Sequence, residues 1–166
     1  MVPRQCREVS VSYRGCTDTL SPGLDRLLAN QADLGAAIQP YYGREAAARL
    51  TDLLTTHIKD AVPVLVAARA GDTVALNTAV AAWYANARQI ADFLAGANPN
   101  WPRDEMRMMM HQHITQTIAY AGEQLSGQYT RSITDYGTAE AHMMQMADML
   151  TAGIVAQFPG GFATTQ

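Results

Sequence analysis

Residues 72–98 read DTVALNTAVAAWYANARQIADFLAGAN, and this stretch decides the fold class. Its apolar residues recur every three or four positions, which is the period of one face of an α-helix. They are Leu76, Val80, Trp83, Ala87, Ile90 and Leu94. Asp72 is a suitable N-cap, and the sequence Gly96-Ala-Asn-Pro-Asn stops the pattern. We therefore predict an amphipathic helix over about residues 73–95.

Three more long helical segments are expected around this one, each with a recognisable start and stop. The first covers about residues 44–70, with Pro63 predicting a kink or local break. The next covers residues 102–127, with Pro102 as its first residue, and the last covers about residues 128–158. Gly137 is a candidate break in the last helix, because glycine is a weak helix former.

The ends of the chain complete the predicted organisation. One short helix is expected from Ser21-Pro22 and a second from Asn30 to the stop at Pro40 and Gly43. Residues 1–20 are interpreted as an irregular leader, residues 21–159 as one helical domain, and residues 160–166 as a flexible tail. Short connections at Gly71 and Gly127 require antiparallel neighbours. The predicted fold class is all-α: an antiparallel up-down four-helix bundle preceded by one or two short helices.

Composition agrees with helix and argues against several classes of partner. The chain is 48% apolar and 16% charged, with a net charge of −3 and a single lysine, Lys59. We expect no nucleic-acid partner and no membrane partner, because arginines are scattered and no basic patch emerges. No phosphate-binding glycine loop is visible, so no nucleotide cofactor is expected.

Location and cysteine chemistry follow from the same sequence. No apolar run approaches the roughly 18 residues that span a bilayer, and the first residues lack a signal-peptide core. We therefore expect a cytoplasmic protein. Cys6 and Cys16 could pair if oxidised, but in a reducing compartment we expect free thiols.

Polar residues that fall within the apolar faces give the candidate site. His57 lies thirteen residues before the end of its predicted helix, and Asn86 lies thirteen residues after the start of the next. His113 lies thirteen residues before Ser126, at the connection around Gly127, and His142 lies fourteen residues after Gln128. Because helices rise evenly per residue, these four side chains are expected within about one turn of the same level.

Three imidazoles at one level are a natural ligand set for zinc, iron or copper. Asp60, Asn86 and Glu140 are candidate further ligands or orienting groups. The Glu-x-x-His motifs of ferritin-like di-iron proteins are absent, and haem binding is less favoured. Methionines crowd the last two helices and would suit Cu(I), although methionine is also a common core filler.

Two hypotheses for function stay open at this point. In the first, the protein binds a metal ion or a small molecule through the histidine cluster. In the second, it is a non-catalytic structural or interaction protein, such as a homo-oligomer, whose core histidines are hydrogen-bonded and bind nothing.

Several stretches resemble a family of small uncharacterised bacterial helical proteins. They are LLANQADLGAAIQPYYG (27–43), LLTTHI (53–58), AARAGD (67–72), WYANARQIADFL (83–94), ANPNW (97–101) and MADMLTAGIVAQFP (146–159). The likeness covers about residues 24–159. Members sometimes carry labels such as acetylglutamate kinase or glycosyltransferase, chemistries that imply α/β nucleotide-binding folds, which this sequence cannot build.

The resemblance also bears on the candidate site. It implies that His57, Asn86, His113 and His142 occupy family motif positions. Family members open with an additional apolar helix containing Trp and His, whereas the first twenty residues here are polar and do not match. If that helix supplies a ligand in the family, the site carried over to this chain would be incomplete.

Overall fold

A computed structural model describes residues 20–162 of the chain. It contains four helices and a short 3₁₀ turn: α1 (Leu20–Ala70), α2 (Thr73–Ala97), α3 (Arg103–Leu125), α4 (Tyr129–Gln157) and the turn Pro159–Gly161. Residues 20–162 include no strand, so the predicted all-α class is confirmed. The predicted leader, with Cys6 and Cys16, lies outside the described residues except for Leu20, as do residues 163–166 of the predicted tail.

The two short helices expected at the start are instead one continuous segment of α1. Residues 20–42, which we call the N-terminal arm, run as helix through Asn30 up to a break at Gly43. A capping side chain contributes only about 1 kcal/mol, less than the backbone hydrogen bonds that an interruption at Asn30 would remove. Gly43 has φ 82°, in the left-handed region that glycine adopts without a Cβ penalty. The predicted stop at Gly43 is therefore correct.

Close packing joins the N-terminal arm to the rest of α1. Gly35 is buried, and a Cβ added there would overlap Thr51 and the carbonyl of Ala47. At the end of the arm, the Tyr42 hydroxyl donates to Gln157 Oε1 at 2.9 Å and accepts from Asn98 Nδ2 at 2.9 Å. These bonds tie the arm to the α2–α3 connection and to the end of α4.

Neither of two expected chain breaks occurs. The backbone of α1 stays helical at Pro63, since Gly43 is the residue with non-helical angles inside this helix, and Gly137 lies inside an unbroken α4. The alternative expectation of a kink at Pro63 stays a prediction. Glycine in a helix interior costs about 1 kcal/mol, and burial of Ala139 and His142 on the same helix outweighs that cost. The cap at the start of α2 is as predicted, because Asp72 Oδ1 accepts from the Ala75 N–H at 2.9 Å.

The core lies along the contacts between helices that follow one another in the chain. The Asn86 amide of α2 donates to the Leu53 carbonyl of α1, and Ser132 of α4 donates to the Tyr120 carbonyl of α3. Ile90, Met106 and Ile114 are among the most buried side chains. The backbones of α1 and α4, by contrast, hardly approach each other. None of the helices in residues 20–162 combines the length and apolar character needed to cross a membrane.

Candidate functional site

His57 is held by a buried amide from the neighbouring helix. The side chains of His57 and Asn86 are 6% and 4% exposed, and His57 Nδ1 lies 2.8 Å from Asn86 Oδ1. Asn86 Nδ2 donates to the Leu53 carbonyl at 3.1 Å, which turns Oδ1 toward the imidazole. Nδ1 of His57 is therefore the protonated nitrogen and donates to Asn86.

This bond leaves Nε2, the second ring nitrogen of His57, buried with an unused lone pair. Nε2 has no hydrogen-bond partner among residues 20–162. Burial lowers the pKa of His57, and this effect exceeds the opposing influence of the Asn86 bond and of the Asp60 charge. At neutral pH the ring is thus neutral, with Nδ1 fixed as donor and Nε2 free to accept or to bind a metal.

His113 of α3 lies directly beside His57. The two ring centres are 5.8 Å apart, with the ring planes inclined by 26°. Nδ1 of His113 is also buried without a partner in the described part of the chain. Burial lowers the pKa of His113 to about 4, and the neighbouring His57 and His142 contribute to the same decrease. His113 is therefore neutral at pH 7.

His142 of α4 is buried and is hydrogen-bonded to a backbone carbonyl. Its Nε2 lies 3.0 Å from the carbonyl of Met109, and because a carbonyl can only accept, Nε2 is the protonated nitrogen. Met109 is one helical turn before His113 in α3. His142 is thus packed against the turn that precedes His113, and its remaining lone pair is on Nδ1.

The other predicted site residues have different placements. Asp60 is half-buried one turn after His57, and its charge acts on that imidazole. Glu140 is exposed although His142, two residues later, is buried. His111 is exposed and stacks on Tyr84, with ring centres 4.6 Å apart.

The methionines of α3 and α4 divide between core and surface. Met106, Met109, Met110 and Met146 are buried, whereas Met108, Met143 and Met144 are exposed. A shared Cu(I) site would need thioethers that converge at one point. This division is instead typical of core filling on one face of each helix.

Two further polar groups near the histidines were not singled out from the sequence. The Trp83 ring centre lies 5.5 Å from that of His57, and Trp83 Nε1 is buried without a partner within residues 20–162. Gln116, one turn after His113, also has a buried Oε1 without a hydrogen-bond partner in the described residues. Trp83 and Asn86 are three residues apart in α2 and therefore share a helix face. This spacing could have placed Trp83 beside the predicted site from the sequence alone.

The fit of these residues to a metal ion is partial. Two imidazoles bound to one zinc at about 2.1 Å, with a tetrahedral angle, have ring centres roughly 5 Å apart. The 5.8 Å between His57 and His113 is close to that separation. Among residues 20–162, no three His, Cys, Asp or Glu side chains are grouped closely enough to hold a metal ion. The fit therefore rests on two imidazoles.

Comparisons with protein-family models, with curated proteins and with solved structures found no match to this chain.

Proposed function

We propose that this protein is a metal-binding, antiparallel up-down helical bundle in which His57 and His113 hold a divalent ion such as zinc, copper or iron. The observation that carries the proposal is the buried, unpartnered Nε2 of His57 beside the buried, unpartnered Nδ1 of His113. Native folds rarely leave buried polar atoms unsatisfied, and such atoms often bind an ion, hold an ordered water or serve in catalysis.

The surroundings of His57 support the role of ligand. Metal-bound histidines generally donate their second N–H to a fixed acceptor, and Asn86 Oδ1 is such an acceptor at 2.8 Å. Neutral imidazoles are also required for binding, because a protonated nitrogen has no lone pair. The lowered pKa values of His57 and His113 meet that requirement at pH 7.

His142 would have to move to become a third ligand, because no three His, Cys, Asp or Glu side chains of residues 20–162 are grouped closely enough to hold an ion. Its Nε2 is engaged with the Met109 carbonyl, so Nδ1 is the nitrogen with which it would bind. Water or a bound molecule would complete the coordination of a site that has few protein ligands.

Metal analysis of the protein purified without an affinity tag tests the proposal. We expect about one bound ion per chain, and a melting temperature that rises on addition of Zn²⁺, Cu²⁺ or Fe²⁺. The double variant His57→Leu/His113→Leu should remove both effects. His111→Gln is the matched control, because His111 is an exposed histidine of the same helix as His113. Wild-type protein that holds no metal and does not respond to added ions would overturn the proposal.

A second candidate is a structural or interaction protein without a metal. The bonds from His57 to Asn86 and from His142 to Met109 favour it, since both link adjacent helices through the core. In that case His57→Leu should lower stability, because Asn86 Oδ1 would lose its buried donor, and neither wild-type protein nor the double leucine variant should respond to metal. The cytoplasmic location, a homo-oligomer and the absence of nucleic-acid and membrane partners stay predictions.

A further inference from the structure

A buried carboxyl group lies between α3 and α4, close to the Gly127 turn that joins these helices. Glu123 belongs to the last turn of α3, and its side chain is only 10% exposed. Its Oε1 lies 2.7 Å from Arg131 Nε of α4, whereas its Oε2 is buried without a hydrogen-bond partner among residues 20–162. Buried polar atoms in native proteins normally have partners, so this oxygen calls for an explanation.

Asp135 of α4 places a second carboxyl group beside the first. Its Oδ2 lies 3.8 Å from the same Arg131 Nε, and the two carboxyl groups are close enough for a side-chain hydrogen bond. Two carboxylates offer only acceptors to each other, whereas a protonated carboxyl group can donate to a carboxylate. A hydrogen bond between Glu123 and Asp135 therefore requires a proton on one of them.

The charges around Glu123 favour one bound proton. Asp135 and Arg131 of α4 are the charged side chains that act on it, and none from α1 or α2 within the described residues does so. With both carboxylates ionised, one guanidinium would face two negative charges, whereas one proton makes the charges equal. Burial raises the pKa of Glu123, Asp135 raises it further, and Arg131 opposes these effects. The negative end of the α3 dipole also disfavours a carboxylate at this position.

The proton belongs on Glu123 rather than on its neighbour. The Glu123 side chain is 10% exposed and that of Asp135 is 38% exposed, so ionisation of Glu123 loses more hydration. Tyr120, one turn earlier in α3, contacts Tyr136 of α4 with ring centres 5.5 Å apart. Burial raises the pKa of Tyr120, so this phenol stays neutral while the carboxyl groups titrate.

A proton suits this place better than a metal ion. The positive charge of Arg131 lies against both carboxyl groups and repels a second cation. No third acidic, histidine or cysteine side chain of residues 20–162 joins the two carboxyl groups to form a ligand set.

We propose that Glu123 and Asp135 share one proton between α3 and α4, and that release of this proton to solvent weakens the contact of the two helices beside the Gly127 turn. While the proton is bound, Glu123 Oε2–H donates to Asp135 and Arg131 neutralises the remaining charge. After release, that hydrogen bond is lost and the two carboxylates repel each other. The contact then depends more on Arg131, whose side chain is 70% exposed.

The direction of the pH dependence follows from the raised pKa of Glu123. The proton stabilises the folded chain fully below the pKa of an unfolded glutamate, about 4.3. This stabilisation is lost as pH rises through the folded-state pKa, and no further loss from this group occurs above it. The buried histidines act in the opposite direction, because burial lowers their pKa values.

Carbon-13 spectra of the carboxyl groups of metal-free, full-length protein test the proposal. We expect Glu123 to titrate at a higher pH in folded protein than in urea-unfolded protein, and amide signals beside Gly127 to shift with the same midpoint. Asp135→Asn removes the negative charge that favours the proton, so it should lower the Glu123 midpoint. A Glu123 midpoint at or below its unfolded value, or one that Asp135→Asn leaves unchanged, would overturn the proposal.

Glu123→Gln tests the effect of the proton on stability. The glutamine amide can donate to Asp135 and accept from Arg131, so the variant keeps the protonated arrangement at every pH. In urea denaturation, wild-type protein should lose stability relative to this variant as pH rises from about 4.3 through the folded-state pKa. The histidines are present in both proteins, so their contribution cancels in this difference. Glu105→Gln, at an exposed position of α3, is the matched control and should not reproduce the loss.

Two further results would contradict the proposal. One is a Glu123→Gln variant whose stability follows the wild-type curve across this pH range. The other is loss of the wild-type titration in millimolar Ca²⁺ or Mg²⁺, because a metal ion would then be the occupant. If Glu123→Gln does not fold, the carboxyl spectra of wild-type protein and Asp135→Asn decide the question.

Discussion

Two imidazole nitrogens in the middle of this protein, Nε2 of His57 and Nδ1 of His113, are buried without partners among residues 20–162. Each unsatisfied group costs about 1–3 kcal/mol relative to the same group in water. Apolar side chains of similar size would avoid that cost, so a sequence selected only for stability has no reason to place histidines there. This cost makes the pair a functional candidate rather than ordinary packing.

A leucine at position 113 should separate stability from binding. His113→Leu removes one buried, unsatisfied nitrogen, so we expect the free energy of unfolding to rise by about 1 kcal/mol in the presence of a chelator. The same variant should lose the stabilisation that wild-type protein gains from Zn²⁺. Urea denaturation with and without Zn²⁺ measures both effects. His111→Gln, at an exposed site, should change stability by less than about 0.5 kcal/mol. A leucine variant that is less stable than wild type without metal would contradict the prediction.

The lowered pKa of His113 predicts a pH dependence of stability. Burial lowers this pKa from 6.5 to about 4, so the unfolded chain binds a proton more readily than the folded one between those values. Stability should therefore fall as pH drops from about 6.5 to about 4 and change little from this residue below that window.

The size of this effect is limited by the partial exposure of the ring. A shift of this size corresponds to about 3 kcal/mol at most, and residual solvent access reduces it to about 2 kcal/mol. Urea denaturation of metal-free protein between pH 5 and 7 tests the upper part of the window. His113→Leu should lose stability less steeply there, and parallel curves for the two proteins would show that the prediction is wrong.

At the scale of residues, counting from the turns predicted that His57 of α1 and Asn86 of α2 lie at the same level. It did not predict which hydrogen bonds the histidines make. His57 and Asn86 are at the same level, as their equal distances from the Gly71 turn indicated. His142 is instead hydrogen-bonded to the carbonyl of Met109, one turn before His113. Unsatisfied atoms such as Trp83 Nε1 could not be predicted, since they depend on which acceptors neighbouring helices fail to supply.

At the scale of elements, cap and stop chemistry predicted the ends of the long helices. Asp72 caps α2, and Gly43, Gly71 and Gly127 all have positive φ at the ends of helical segments. The errors came from signals inside helices. Asn30 and Gly137 are weak interruptions, and the continuity of a packed helix outweighs them.

The break at Gly43 should be sensitive to a side chain. With φ 82° and ψ 172°, this residue occupies a region that is almost exclusive to glycine. We expect Gly43→Ala to lower the free energy of unfolding by about 1–3 kcal/mol, although a Cβ there would meet no neighbouring atom. Thermal denaturation measures the loss.

Gly137→Ala is the matched control for that change. Gly137 lies inside α4, and a Cβ there also meets nothing within 4 Å. Because its backbone is helical, alanine should raise stability by up to about 1 kcal/mol. Equal effects of the two substitutions would contradict the distinction between a strained and a helical glycine.

At the scale of the whole molecule, composition and periodicity predicted an all-α chain, but not how the helices are spaced. All four helices line a cavity of about 760 Å³ beside the Gly71 and Gly127 turns, and the backbones of α1 and α4 hardly approach each other. No local pattern encodes that separation, since it depends on the packing of both helices against α2 and α3. Trp83 lines this cavity, and its ring centre lies 5.5 Å from that of His57.

The metal proposal is tested most directly by ¹H–¹⁵N spectra of the imidazole rings, recorded at pH 7 with and without Zn²⁺. Without metal, we predict a His57 ring protonated on Nδ1 and a His142 ring protonated on Nε2, because Asn86 and Met109 accept those protons. On adding one equivalent of Zn²⁺, His57 Nε2 and His113 Nδ1 should shift together while the exposed His111 stays unchanged. Zinc-induced shifts confined to His111, or no shifts at His57 and His113, would contradict a metal site at this pair.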